Sequence, residues 1–338
     1  MNAMGIDLSV IWSGIILFGL MMYVIMDGFD LGIGILFPWV EEKVDRDVMM
    51  NTVAPVWDGN ETWLVLGGAG LFAAFPLAYA VLLEALSIPL VAMLIGLIFR
   101  GVAFEFRFKA SDASRHWWDK AFVGGSVLAT FSQGVALGGY IQGIAFDGVN
   151  FSGGSLDWLS PFPLFCGVAL LFTYALLGST WLIMKTEGIL QARMFALTRP
   201  LTLWVLIMIA AVSLWTPLAH PAIAERWFTL PQLFWFLPVP VLVVLAGYAL
   251  IRAVAFEYHA QPFLLVLVLI FLGYSGFGIS MWPDIIPDHV TIWEAASPPQ
   301  SQGFALVGTL FILPIILVYT AWSYFVFKGK VRHTDGYH

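Results

Sequence analysis

The sequence predicts an all-α polytopic membrane protein with about nine transmembrane helices packed as helix bundles, its N-terminus outside and its C-terminus cytoplasmic. Hydrophobic residues make up 60% of the 338 residues and charged residues only 11%, whereas soluble globular proteins have about 25% charged residues. Long apolar runs recur along the whole chain. Basic residues are nearly confined to alternate connections between these runs. No stretch resembles a soluble domain, so we expect a single integral membrane domain over 1–338.

A helix needs about 20 mostly apolar residues to cross a bilayer, and nine segments approach or exceed this length. They are 8–37, 56–75, 77–104, 119–143, 161–184, 200–218, 233–253, 262–282 and 304–327. The first has no basic leader or small-residue cleavage site, so we expect it to be a retained span. Pro76 suits a first helical turn and predicts a very short connection between the second and third. We expect a first helix bundle within 1–143, which holds the acidic cluster described below, and a second group of helices within 161–327.

The distribution of basic residues gives the orientation, because lysine and arginine are enriched in cytoplasmic loops. With an external N-terminus, fourteen of the fifteen fall on the inner side: Lys43, Arg46, Arg100, Arg107, Lys109, Arg115, Lys120, Lys185, Arg193, Arg199, Arg252, Lys328, Lys330 and Arg332. Only Arg226 falls outside. The net charge of −7 is spread over termini and loops, so we expect no nucleic-acid partner. Cys166 is the single cysteine and can form no internal disulfide.

Two pairs of acids interrupt the apolar runs. The stretch MDGFDLGIGILFP at 26–38 places Asp27 and Asp30 three residues apart, on neighbouring stripes of one helix. Each costs about 2.5–3.5 kcal/mol at the centre of a span, so this face must point into protein. The second span repeats the spacing with Asp58 and Glu61. Because consecutive spans run in opposite directions, we expect Asp58 nearest the cytoplasm and Asp30, then Asp27, deeper. Arg100, at the inner end of the third span, is the natural counter-charge.

These four acids outnumber the single arginine among them, so ion pairing cannot neutralise them all. Buried carboxyls in such a setting are suited to passing protons. An alternative remains open, in which the acids only lock helices together through buried ion pairs. At the level of the whole protein, the corresponding alternatives are a proton-coupled secondary transporter and a purely structural assembly subunit.

The sequence offers few ligands for a cofactor within its spans. All six histidines fall in loops or in the tail: His116, His220, His259, His289, His333 and His338. No phosphate-binding G-x-x-x-x-G-K-[ST] run occurs. We therefore expect no metal site or catalytic residue in this chain. Trp57 and Trp63 flank the acids of the second span, and packing against neighbouring helices is one interpretation of both.

The chain resembles subunit II of the cytochrome bd-type quinol oxidases. The resemblance rests on DGFDLG at 27–32, APVWDGNETWLVLGGAGLFAAFP at 54–76 and IFRGVAFEFR at 98–107. A weaker likeness lies in TIWEAASPPQ before the last span. The VWDGNETW form is similar to the cyanide-insensitive branch of the family.

The resemblance implies a heterodimer in the bacterial cytoplasmic (inner) membrane with subunit I, which carries haems b and d. Together they would oxidise quinol and reduce oxygen to water, with this chain as the subunit without haem. A cytoplasmic proton path is implied at Asp27, Asp30 and Asp58, and Glu61 and Arg100 complete the candidate set. An oxygen path is implied near the second span's tryptophan, Trp63. Some family members hold a structural quinone in this subunit, and small accessory subunits, lipid and quinol are further expected partners.

Overall fold

A computed structural model describes residues 7–332, and this part of the chain is almost entirely helical. Its helices are α1 Leu8–Leu36, α2 Lys43–Asn51, α3 Trp57–Ala74, α4 Pro76–Ala85, α5 Ser87–Arg107, α6 Asp112–Gln142, α7 Pro161–Lys185, α8 Gly188–Ala219, α9 Pro221–Phe228, α10 Gln232–Phe236, α11 Pro238–Ala255, α12 Gln261–Met281 and α13 Pro299–Val326. The strands β1 Asp284–Ile286 and β2 Val290–Thr291 form one short antiparallel hairpin.

Eight helical segments within 7–332 are long and apolar enough to cross a membrane. The remaining predicted span, 56–75, corresponds to α3, which has 18 residues but starts with the polar run WDGNET. Because of this polar run, the mean hydropathy of α3 is too low for α3 to count among the eight apolar segments. Contacts of Gly70 with Ile16 and of Gly67 with Leu20 show that α3 lies antiparallel along α1. The helix therefore occupies the position expected of a span, although its composition is more polar.

The third predicted span, 77–104, is interrupted rather than continuous. Helix α4 ends at Ala85 and α5 begins at Ser87, with Leu86 between them at φ −107° and ψ 17°. Pro89 lies in the first turn of α5, where its missing N–H removes the bond to residue 85 that a continuous helix would need. The short connection predicted at Pro76 is present, because only Phe75 separates α3 from α4.

The C-terminal part of α1 is surrounded by protein on all sides. Every residue from 26 to 37 is buried, including both aspartates. Gly32 makes this packing possible, because a Cβ there would lie 1.9 Å from the carbonyl oxygen of Tyr174 on α7. Gly178, one turn further along α7, lies against the backbone of Gly32 and Ile33 at the same contact. Small residues at a membrane helix interface allow this close backbone approach.

Helix packing extends from α1 across both predicted groups. Helices α5 and α6 approach closely at Gly96 and Gly125, and α6 meets α7 at Gly134 and Gly167. Because α1 also packs against α7, the groups within 1–143 and 161–327 share an extensive contact. Their division into two bundles, like the orientation of the termini, stays a prediction.

The last helix, α13, has 28 residues, yet Gln302 is its only buried residue. At its first turn, the carbonyl of Gln302 accepts a hydrogen bond from the indole of Trp12, 3.1 Å away. Beyond its last turn, residues 327–332 lie along the end of α7 and form what we call the C-terminal clasp. In the clasp, Lys185 donates to the carbonyls of Phe327 and Gly329, and Lys330 donates to that of Thr186. These contacts fix both ends of α13.

Candidate proton-conducting site

Three carboxyls from two helices meet one guanidinium from a third. Arg100 on α5 places Nη2 2.6 Å from Oδ1 of Asp27 and donates to Glu61 on α3 as well. Its Nη1 lies 3.9 Å from Oδ2 of Asp30. Asp27, Asp30 and Arg100 are fully buried, whereas the side chain of Glu61 is 27% exposed. We call these four residues the Arg100 cluster.

The Arg100 cluster contains more acids than one arginine can neutralise. With all three carboxyls ionised, its net charge would be −2 in a site where only Glu61 is partly exposed. Oδ2 of Asp27 and Oδ1 of Asp30 are buried and accept no hydrogen bond from the described residues. Carboxyls in this setting can take up and release protons, while the ion pair with Arg100 also holds three helices together. The geometry is thus compatible with both roles proposed from the sequence.

Asn60 connects the cluster to the last helix. Its amide nitrogen donates to Oδ2 of Asp30 at 2.8 Å and to the carbonyl of Met26 at 3.2 Å. Its amide oxygen accepts from the hydroxyl of Tyr324 on α13 at 2.9 Å. Sequence analysis did not single out either residue. The WDGNETW motif drew attention to its acids, and Tyr324 lies 264 positions away from Asn60, too far for any local pattern to join them.

Asp58 lies apart from the Arg100 cluster. It is exposed in the first turn of α3, one turn before Glu61, and forms no ion pair within the described residues. The structure therefore brings Asp27, Asp30, Glu61 and Arg100 together, and it leaves Asp58 on the open side of α3.

The two tryptophans of α3 have different surroundings. Trp57 stacks on Phe104, with ring centroids 5.2 Å apart, and lies 5.6 Å from the guanidinium of Arg100. A cation over an indole face is attracted to it, so Trp57 covers the cluster. Trp63 is buried beside Phe18, at a centroid distance of 5.8 Å. Its indole N–H has no acceptor among the described residues.

A second charged network, which sequence analysis missed, lies where α5 ends and α6 begins. Arg107 on α5 is fully buried and contacts Asp47 on α2 and Asp119 on α6, each at 2.5 Å. Arg115 reaches Asp47 at 2.8 Å and Arg46 reaches Asp119 at 2.9 Å. This network fixes α2 against α5 and α6. Its only sequence signal is the density of charges in the connections that follow α1 and α5.

An apolar cavity of about 560 Å³ lies between α1, α3, α6, α7 and α12. Tyr23 and Gln133 are among the few polar residues that line it, and Tyr23 precedes Asp27 by one turn of α1. Asp284 and Tyr140 line it near the β hairpin. The remaining lining is mainly leucine, isoleucine and glycine, which suits an apolar ligand.

Within residues 7–332, no group of three or more His, Cys, Asp or Glu is placed to hold a metal ion. His220, His259 and His289 lie in connections, and His116 lies in the first turns of α6, a helix that starts earlier than predicted. His333 and His338 lie outside the described residues. The polar groups of the Arg100 cluster are carboxylates and a guanidinium, whereas haem iron is held by imidazole, thiolate or thioether ligands.

The fold and the site define a multi-pass membrane protein that holds a buried, partly neutralised carboxyl cluster. Residues 8–327 match the family model of cytochrome bd terminal oxidase subunit II, and the chain belongs to this family. It is 29% identical to cytochrome bd-I ubiquinol oxidase subunit 2 of Escherichia coli (strain K12), over 95% of this chain and 94% of that one. It is 27% identical to cytochrome bd ubiquinol oxidase subunit 2 of Bacillus subtilis (strain 168), over 92% and 93%.

The fold agrees with this assignment. A chain in the structure of bd oxidase from Geobacillus thermodenitrificans superposes with a TM-score of 0.76 at 18% identity, covering 95% of this chain and 99% of the other. The family predicted from the sequence is confirmed. The protein is subunit II of a bd-type quinol oxidase and part of a complex with subunit I, so the transporter alternative is not favoured.

Proposed function

We propose that the Arg100 cluster conducts protons from the cytoplasm toward subunit I. The observation that carries the proposal is the full burial of Asp27 and Asp30 beside a single arginine. Haems b and d, expected in subunit I, would supply the site where oxygen is reduced to water, and we expect this chain to hold no haem of its own. The inner bacterial membrane is the expected location, with quinol oxidised at its outer face.

The order of exposure gives the path a direction. Asp58 is exposed, Glu61 is partly exposed, and Asp27 and Asp30 are fully buried. Protons would reach Asp58 first, move one turn along α3 to Glu61, and pass to the aspartates around Arg100. Arg100 keeps its charge throughout, since guanidinium groups do not lose their protons in proteins, and it holds the carboxyls close together.

Because the protons would come from the cytoplasm and the electrons from the outer face, the reaction would separate charge across the membrane without a proton pump. Moving one charge through 100 mV stores about 2.3 kcal/mol. The role of this chain is to supply the inner half of that movement. Trp63 lies in an apolar setting suited to an oxygen path or to packing, and the cavity of about 560 Å³ has the lining expected for a structural quinone or a lipid chain. Small accessory subunits remain an expectation from the family.

The test is a triple variant, Asp27→Asn, Asp30→Asn and Asp58→Asn, in the complete oxidase. Asparagine keeps the shape of aspartate and an oxygen that can accept from Arg100, and Glu61 still pairs with Arg100. Because the substitution removes only proton exchange, we expect slow oxygen consumption with a normal haem spectrum. Asp112→Asn is the matched control, because Asp112 is an inner acid whose side chain is 86% exposed. Unchanged turnover in the triple variant would favour the purely structural role of the cluster, which the ion pairs of Arg100 also support.

A further inference from the structure

The connection between Asp30 and the last helix has a fixed geometry. Asn60 is buried and uses both its amide N–H groups, one on Asp30 and one on the carbonyl of Met26. Turning the amide over would place its oxygen against these two acceptors, so only one orientation is favourable. In that orientation the amide oxygen faces α13 and accepts from Tyr324.

Tyr324 is held independently of its hydroxyl. Its ring packs edge-on against Phe29, at a centroid distance of 6.4 Å, and against Trp181 at 6.2 Å. Helix α13 is fixed at its first turn by the bond from Trp12 and beyond its last turn by the C-terminal clasp. The hydroxyl therefore reaches Asn60 from a defined position.

We propose that Asn60 and Tyr324 are positioning residues for Asp30. This inference rests on the proposed proton path, to which it adds two residues that do not themselves pass protons on. The amide of Asn60 holds Oδ2 of Asp30, while Oδ1 accepts no bond from the described residues. Oδ1 is therefore the oxygen left for proton exchange. Tyr324 holds the Asn60 amide in this orientation, so the position of the Asp30 carboxyl depends on α13.

An alternative in which the proton passes through Tyr324 and Asn60 is less favourable, because a neutral amide has no site that readily accepts and returns a proton. The charged and titratable groups around Asp30 come from five helices. Asp27 lies on α1, Glu61 on α3, Arg100 on α5 and Tyr324 on α13, and beyond Asp27 lie Tyr23 on α1 and Tyr174 on α7. None of these others contacts Oδ2 within hydrogen-bond distance.

The test compares Tyr324→Phe with Tyr319→Phe in the complete oxidase. Phenylalanine keeps the ring contacts of Tyr324 and removes only the hydroxyl, while Tyr319 lies on the same helix and is 67% exposed. Asp30→Asn first identifies the infrared C=O band of the Asp30 carboxyl. We expect Tyr324→Phe to shift this band, to move the pH profile of turnover, and to slow turnover about two- to ten-fold, as one neutral hydrogen bond allows. The Tyr319→Phe control should change none of these.

A double variant separates positioning from a general loss of packing. If Tyr324 acts through Asp30, adding Tyr324→Phe to Asp30→Asn should cause no further loss of turnover, since the two effects share one pathway. Additive losses, or an unshifted band in Tyr324→Phe, would overturn the inference and leave the proton path standing. If Tyr324→Phe shifts the band but Asp30→Asn keeps full turnover, Tyr324 still positions Asp30, and Asp30 is not part of the proton path.

Discussion

Arg100 and Asp27 form a fully buried ion pair, with 2.6 Å between Nη2 and Oδ1. Replacing Arg100 by glutamine would leave Asp27, Asp30 and Glu61 without a cation. Breaking one side of a buried pair costs about 3–5 kcal/mol, so we expect the Arg100→Gln oxidase to assemble poorly and to denature at a lower temperature. Yield and Tm of the purified complex measure this. Arg252→Gln is the control, since Arg252 is exposed at the end of α11, and equal Tm values in both variants would contradict the prediction.

Glu61 and Asp58 should respond differently to neutralisation, because only Glu61 contacts Arg100. We expect Glu61→Gln to lower both Tm and turnover, since it removes an ion pair and a proposed proton carrier. Asp58→Asn should slow turnover with little change in Tm. Oxygen consumption and thermal denaturation of the two purified complexes distinguish these effects. Full turnover in Asp58→Asn would remove Asp58 from the path.

The contact of α1 with α7 leaves no room for a side chain at Gly32. An alanine Cβ would lie 1.9 Å from the carbonyl oxygen of Tyr174, and backbone atoms there can move only if the helices separate. Overpacking of this kind costs about 1–3 kcal/mol, so we expect Gly32→Ala to lower the Tm of the complex. Gly273→Ala on α12 is the matched control, because nothing lies within 4 Å of a Cβ there. Equal stability of both variants would show that the helices are less closely packed.

The C-terminal clasp should depend on Lys185. Methionine at this position keeps an unbranched apolar side chain and removes the bonds to the carbonyls of Phe327 and Gly329. We expect faster amide hydrogen exchange over residues 327–332 in Lys185→Met, since local opening follows the loss of tertiary contacts. Lys328→Met serves as the control, because Lys328 is exposed and makes no bond to α7. Unchanged exchange in Lys185→Met would mean that other contacts hold the clasp.

One pH dependence arises outside the spans, at the start of α1. The indole of Trp293 donates to Asp7 at 2.8 Å and, with backbone amides, lowers the pKa of that carboxyl below its ordinary 3.8. A lowered pKa adds stability above the ordinary value, and this stability is lost as pH falls through the lowered one. We therefore expect Trp293→Phe to lower Tm slightly at neutral pH and not in strong acid. The difference in Tm from wild type, followed across pH, measures this, with Trp235→Phe as an exposed control.

The sequence predicted the fold well where one physical rule decides it. Length and hydropathy located the spans, and Pro76 located a helix start, because these signals are local. The break at Leu86 was missed, since the residues on both sides of it are equally apolar. Helix α2 was also missed, because it is short and polar, and its docking depends on ion pairs with Arg107 and Asp119 that only the fold brings together.

The candidate site was predictable in its charges but not in its geometry. Buried acids in an apolar chain require a partner, which identified Arg100 together with Asp27 and Asp30. The spacing of Asp58 and Glu61 could not decide which one turns toward that arginine, since residues three apart occupy neighbouring stripes of a helix. Asn60 and Tyr324 were invisible because an amide and a hydroxyl give no charge signal, and their meeting depends on the packing of the last helix.

The separation of Asp27 and Arg100 along the chain also has a consequence for biosynthesis. The two residues are 73 positions apart, and ribosomes add about 5–20 residues per second. The first helix thus emerges several seconds before its cationic partner has been translated. During that interval its aspartates need shielding by the insertion machinery, by water or by protonation, so the first helix can reach its final packing only after the segment that carries Arg100 has been made.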